Sequence, residues 1–308
     1  MPRRLSPTSL AHLLLLAVVF IWGATFVLVK DALQDASPFV FNLLRMALAF
    51  VALVIVNHRQ LRSTNRKSIV SGIAVGLFLA TGYQFQTTGL ARTTAAKSAL
   101  ITGLVVVFVP LLTLIPAIRP SRTLPPRWTT AVGALLAFSG LLLLTTPAGT
   151  SWKNLLSSIG LGDLLTLACA IAFAAHLLSL AHTSRTVPTA QLATLQIGTA
   201  ALLMAVTLPL GGTLHLTLTP RLVTALAITS LLATAAAFTI QSWAQQHIPP
   251  THTAILLTLE PVFACLTSFL VLHEHLGRRS LLGAVLILTG IAFIELFPSE
   301  APIPTYPA

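Results

Sequence analysis

The run LAHLLLLAVVFIWGATFVLV at residues 10–29 holds a single ionisable side chain, His12, in twenty positions. At about 1.5 Å rise per residue, a helix of that length matches the roughly 30 Å hydrocarbon core of a bilayer. Arg3 and Arg4 precede the run and Lys30 closes it. A basic start before an apolar stretch also describes a secretory signal. This stretch is too long for an ordinary signal core and ends in no A-x-A site, so it reads as a retained first span.

The rest of the chain continues in the same way. Of 308 residues, 55% are hydrophobic and 8% charged, with a mean hydropathy of +0.89. A soluble domain carries about 25% charged residues, and a disordered chain lacks such hydrophobicity. Ten apolar segments follow one another at 10–30, 38–57, 69–90, 94–117, 128–147, 160–181, 188–209, 221–244, 251–272 and 280–297, each bounded by charge, Pro or Gly. They are about twice the length of a barrel strand, and open strands cannot cross lipid, so they are helices. The expected fold class is an all-α membrane protein with ten transmembrane helices joined by short connections. The connections leave no room for a large soluble domain.

Net charge is +11, from 18 Lys+Arg and 7 Asp+Glu. Cytoplasmic loops of membrane proteins collect Lys and Arg, which explains the excess without a nucleic-acid partner. With the N-terminus inside, Arg3, Arg4, Arg59, Arg62, Arg66, Lys67, Arg119, Arg122 and Arg127 are cytoplasmic and only Lys30 and Arg92 face out. The second half reverses the bias: Arg185 lies inside, whereas Lys153, Arg221, Arg278 and Arg279 lie outside. Two inverted five-span halves produce such a pattern. Residues 79–115 overlie 234–270 at a constant offset of 155, with identities at Gln86/Gln241, Ala99/Ala254, Leu104/Leu259, Val107/Val262, Phe108/Phe263 and Leu111/Leu266. Gly133, Ala134 and Gly140 repeat as Gly283, Ala284 and Gly290 at an offset of 150. An odd number of spans per repeat sets the copies antiparallel, the plan of many secondary transporters, whose sites lie at the midplane between repeats.

Several motifs resemble the EamA-type transporters of the drug/metabolite transporter superfamily. They are Trp22-Gly23-Ala24-Thr25-Phe26 with Lys30 and Pro38, Arg45-Met46-Ala47, Leu100-Ile101-Thr102-Gly103-Leu104 with Val109-Pro110-Leu111, Leu259-Glu260-Pro261-Val262-Phe263-Ala264, and His273-Glu274-His275-Leu276-Gly277. The resemblance covers roughly 10–297. It implies two EamA repeats, at 10–147 and 160–297, with both termini cytoplasmic. It also implies a central cavity and a place in the bacterial inner membrane, often as an exporter of amino acids or related metabolites. His273 departs from the pattern, where Gly is common before the Glu. The tail 298–308, rich in Pro, is expected to be disordered.

Charges inside spans are costly and point to function. Glu260 sits near the centre of the ninth span and Arg45 near that of the second. Facing inward and close to each other, Arg45 could hold a substrate carboxylate in bidentate fashion, and Glu260 an amine or a transported proton. A structural ion pair is the alternative. Pro261 and Pro110 remove helix hydrogen bonds and would free the Leu257 and Val106 carbonyls. Lys97 either lines the outer vestibule or snorkels to headgroups. Gln86 and Gln241, the repeat mates, bond a ligand or each other's helices. Trp22 and Tyr83 could supply aromatic lining, whereas Trp243, near a span end, suits an aromatic belt.

Cys169 and Cys265 read as packing residues, and lone histidines such as His176 have no metal-ligand spacing. Gly160-Leu161-Gly162-Asp163 has the GxGD form of intramembrane aspartyl proteases. That chemistry needs a second carboxylate sharing a proton, so Asp163 is read as a helix N-cap. No nucleotide-binding loop is present. The sequence therefore points to a non-enzymatic secondary carrier of a small-molecule substrate in a lipid bilayer, without cofactor or metal and with possible proton coupling at Glu260. A membrane-embedded enzyme and a channel or scaffold are the alternatives.

Overall fold

The structure, a computed structural model, describes residues 6–116, 128–145, 159–248, 253, 256–257 and 259–296. The expectations for Arg3, Arg4, Arg119, Arg122, Arg127, Lys153 and the tail 298–308 lie outside these residues, as do parts of the fourth, fifth, ninth and tenth spans.

Short caps start the helices where the sequence turns from polar to apolar. Ser6 accepts from the Ser9 amide ahead of α1, Pro7–Ala32. Pro38 opens α2, Pro38–Leu61. Asn65 caps α3, Arg66–Leu90, through the Ser68 amide. Thr94 caps α4, Ala95–Thr102, which gives way to α5, Val105–Leu112. Then come α6, Trp128–Thr145, α7, Leu161–Thr183, and α8, Thr189–Thr207. Thr219 caps α9, Pro220–Ser230; six residues of π-helix, Leu231–Ala236, lead into α10, Ala237–His247. The described residues close with α11, Glu260–Leu272, and α12, Arg278–Leu296.

Among the described residues seven helical stretches are long and apolar enough to cross a membrane, counting α4 with α5 and α9 through α10 as one each, and Ala131–Leu144 and Glu260–Leu272 are shorter apolar helices. Large apolar side chains such as Leu13, Val56, Leu202 and Val206 point outward. A helix apolar on both its buried and its exposed face has lipid rather than water as its surroundings.

Three apolar clusters bind the bundle. One joins α2, α3, α8 and α10 through Met46, Leu79, Tyr83, Ile197, Met204 and Phe238. A second joins α1, α2, α9 and α11, and a third joins α4 to α7 with α12. The tightest seam is α6 on α12. A Cβ on Gly140 would stand 2.5 Å from the Gly283 carbonyl, one on Gly283 2.6 Å from the Gly140 carbonyl, and one on Gly290 2.5 Å from the Gly133 carbonyl. The two backbones touch directly because these glycines have no side chains.

The helix breaks differ from expectation. The fourth span breaks at Gly103-Leu104, seven residues before Pro110, which sits inside α5. Here a Cβ would meet Pro261 Cγ at 2.6 Å, so the break follows the close approach of α11. Pro261 does not kink a helix from within: it lies in the first turn of α11, where its missing N–H would have no partner anyway. Glu260 accordingly stands at the start of a helix rather than at its centre.

Candidate functional site

A cavity of about 70 Å³ lies between α1, α2, α3, α4, α5, α7, α10 and α11, several times the space one water needs. Neither α6 nor α12 contributes to its lining. Six residues singled out from sequence line it: Trp22, Arg45, Tyr83, Gln86, Gln241 and Glu260. The structure thus brings these residues together from five helices.

Arg45 is buried and its contacts are polar but uncharged. Its Nε donates to Thr234 Oγ1 at 2.7 Å, and its Nη2 to the Tyr83 hydroxyl at 3.0 Å and the Ala233 carbonyl at 3.3 Å. The guanidinium carbon lies 4.3 Å from the Tyr83 ring centroid, a cation–π contact. Trp22 Nε1 donates to the same Ala233 carbonyl at 2.8 Å. Ala233 and Thr234 belong to the π-helical turn, whose altered bonding leaves that carbonyl able to serve both side chains.

Glu260 faces the cavity from the first turn of α11, the end where the helix dipole favours an anion. Arg45 and Glu260 do not form the ion pair entertained from sequence: among the described residues the ion pairs are Lys97–Asp163, Arg221–Asp31 and Arg221–Asp35. The cavity therefore presents a cation and a carboxylate with no charged protein partner for either.

Amides and hydroxyls fill out the polar wall. Gln241 keeps a buried Oε1 with no hydrogen bond. Thr87 donates to Asn42 Oδ1 at 2.8 Å, and Asn42 in turn donates to the Tyr83 carbonyl and to Gln84. His176, read from sequence as an isolated histidine, lines the cavity and bonds Gln196 through Nε2 at 2.9 Å. Gln196 Nε2 donates to Ser242, so its Oε1 accepts and His176 Nε2 is assigned as the donor. Phe238 is the aromatic hub, with Trp22 at 5.4 Å, His176 at 5.6 Å and Tyr83 at 6.1 Å between centroids. Phe173 packs edge-on to Tyr83 at 5.2 Å. His176 and Phe173 escape sequence reading because α7 is apolar on every face and offers no periodicity to orient them.

Lys97 stands apart from the cavity. Its Nζ lies 2.8 Å from Asp163 Oδ2. Asp163 is the third residue of α7, not its N-cap, and its carboxylate reaches back to the Gly160 amide at 3.0 Å. The three aspartates of the chain, Asp31, Asp35 and Asp163, are each in an ion pair. Pro110 is likewise outside the cavity lining, and Pro261 packs behind it against Gly103. Among the described residues no cluster of three His, Cys, Asp or Glu side chains could hold a metal ion. Cys169 and Cys265 are free thiols.

Residues 9–146 and 160–296 each match the EamA-like transporter family. An uncharacterized transporter of Archaeoglobus fulgidus is 32% identical over 288 residues, 93% of this chain and 86% of that protein. The uncharacterized transporter YoaV of Bacillus subtilis is 24% identical over 292 residues, covering 92% of this chain and 95% of that one. A solved crystal structure superposes with a TM-score of 0.66 at 19% identity, covering 94% of this chain and 97% of the other, a likeness of fold. The chain belongs to the EamA-like transporter family and is a multi-pass membrane transporter.

Proposed function

We propose that this transporter is a secondary carrier that exports small amphipathic metabolites, such as amino acids or related compounds, by alternating access to the central cavity. The observation that carries the reading is that Arg45 and Glu260 line one cavity without an ion pair between them. A zwitterionic or aminated metabolite offers each group a counter-charge, and Trp22, Phe173 and Phe238 offer an apolar part somewhere to lie. Glu260 is the group proposed to exchange a proton or an amine during the cycle.

The proposed architecture is ten spans in two inverted repeats, 10–147 and 160–297, with both termini in the cytoplasm of a bacterial cell and the cavity between repeats. The glycine seam supports it. Gly133 mates with Gly283 and Gly140 with Gly290 in sequence, and the contacts join Gly140 to Gly283 and Gly133 to Gly290. Exchanging the two repeats maps this contact set onto itself, as a two-fold axis does. The Lys/Arg bias of the first half supports the orientation.

The test is mass spectrometry of the medium from cells producing the chain or its Glu260→Gln variant. A compound that accumulates outside only with the parental chain names the substrate. Saturable counterflow of that compound in proteoliposomes is then expected; flux that rises linearly with concentration would instead mark a channel.

A further inference from the structure

All the ion pairs among the described residues lie at one end of the bundle, the end holding the connections 33–37, 91–94, 208–219 and 273–277. There α9 is tied to the α1–α2 connection by an unusually complete set of bonds. Arg221 donates from Nε and Nη2 to both oxygens of Asp35, each at 2.7 Å, and from Nη1 to Asp31 at 3.3 Å and Gln34 at 3.1 Å. Thr219 adds a 2.6 Å bond to Asp35 Oδ2. The backbone joins in: Thr217 N donates to the Asp35 carbonyl at 2.8 Å and Ser37 N to the His215 carbonyl at 3.1 Å. Nearby, Glu274 accepts from the Ala95 and Ala96 amides, fastening the α11–α12 connection to the start of α4.

The opposite end has a counterpart contact without the charges. At the repeat offset of 155, Arg221 corresponds to Arg66, the first residue of α3. The start of α3 meets the start of α8 as α9 meets the α1–α2 connection: Ser68 donates to Gln191 at 2.7 Å, and Gln191 donates to the Gln60 carbonyl at 2.9 Å and to Ser63 at 3.1 Å. With Pro38 set over Pro188, Asp35 falls on Arg185. Where one end has an arginine facing a carboxylate, the other has two arginines. Arg59, Arg62, Arg66, Lys67 and Arg185 are in no ion pair among the described residues.

We propose that Arg221 and Asp35 are gate residues, a charged clasp that closes the outer end of the cavity, and that the lack of its mirror at Arg66/Arg185 sets the carrier's resting preference for the outward-closed state. An exposed single ion pair contributes little, but this one is bidentate, shared with a second carboxylate and braced by backbone bonds, which gives it geometry as well as charge. Opening the outer end means breaking it. Among the described residues, no bidentate ion pair has to break at the inner end. The inference rests on the carrier reading and the orientation proposed above.

The test uses a full chain carrying Cys169→Ala and Cys265→Ala with one reporter thiol, Val29→Cys, on the cavity wall. A membrane-impermeant maleimide is added from the outer or the inner side. Asp35→Asn and Arg221→Gln are expected to raise outside labelling roughly fivefold, and the exchanged pair Asp35→Arg/Arg221→Asp to return it toward the parental rate. Arg185→Asp, which sets a carboxylate opposite Arg66, is expected to raise outside labelling and lower inside labelling with the outer clasp intact. Unchanged labelling in Asp35→Asn and Arg221→Gln variants that melt like the parent would overturn the proposal. If those variants do not fold, Arg185→Asp decides: unchanged labelling on both sides overturns it. Labelling needs no substrate, so side-dependent changes without measurable counterflow would sink the carrier reading and leave the gate standing.

Discussion

Arg45 and Tyr83 are joined twice, by stacking at 4.3 Å and by a 3.0 Å hydrogen bond from Nη2 to the phenol. The pair links α2 to α3 at the cavity wall, and the π-helical turn completes the cage around the guanidinium. Lysine cannot reproduce a fork that uses Nε and Nη2 in different directions. Arg45→Lys is expected to deprive the Thr234 hydroxyl of its donor, to leave the Ala233 carbonyl with Trp22 alone, and to destabilise the chain by about 1–3 kcal/mol. Tyr83→Phe, which keeps the stack, is expected to cost less. Thermal melting in detergent ranks the two; equal losses would mean that the bond to the Tyr83 hydroxyl, not the rest of the donor fork, holds Arg45.

The α6–α12 seam makes a steric prediction. Alanine at Gly140 or Gly283 places a Cβ against a backbone carbonyl, which no rotamer change can relieve. Each substitution is expected to cost about 1–3 kcal/mol. Gly277→Ala, where a Cβ meets nothing within 4 Å, is the control expected to melt close to the parent. A seam variant as stable as that control would show the helices free to separate.

Acid should weaken the outer clasp. The Arg221 guanidinium, and after it the Thr219 hydroxyl, hold the Asp35 carboxyl down to about 2 from an ordinary 3.8. A carboxyl lowered in the folded chain stabilises it above its ordinary range, and the contribution is lost as pH falls through the folded value. Melting temperature is therefore expected to fall between pH 4 and 2 more steeply for the parent than for Asp35→Asn. Parallel pH profiles would show that Asp35 titrates alike in folded and unfolded chains.

The α11–α12 connection turns on His273, which adopts a left-handed conformation at φ 53° and so places Glu274 over the start of α4. Valine at His273 is expected to cost roughly 1–2 kcal/mol, and glycine little or nothing. Glu274→Ala is expected to cost about 1 kcal/mol through loss of the cap on Ala95 and Ala96. A valine variant melting with the glycine one would mean that the turn tolerates any residue.

Much of the helical layout could be read from sequence because an apolar run of span length leaves a chain in lipid little choice but to satisfy its backbone internally. The breaks could not. Pro110 reads as freeing the Val106 carbonyl, yet the chain turns at Gly103, where a Cβ would meet Pro261, 158 residues away. The π-helical turn at 231–236 has no proline or glycine to announce it; its sign is the Arg45 and Trp22 side chains that use its carbonyl. Arg45 and Glu260 drew notice because ionised groups stand out against apolar sequence. His176 and Phe173 did not, since an evenly apolar helix hides which face turns inward. The Lys97–Asp163 pair went unread because its two members belong to different halves of the chain.

The glycine contacts between α6 and α12 also bear on how the molecule can move. Two backbones in direct touch have no side chains to re-pack as they slide, so this seam behaves as a fixed spine at the edge of the bundle. Displacement about a spine grows with distance from it, as along a lever. Cavity helices α4, α5 and α7, which share an apolar cluster with the seam, have short arms, and α2, which packs with α8 away from it, has a long one.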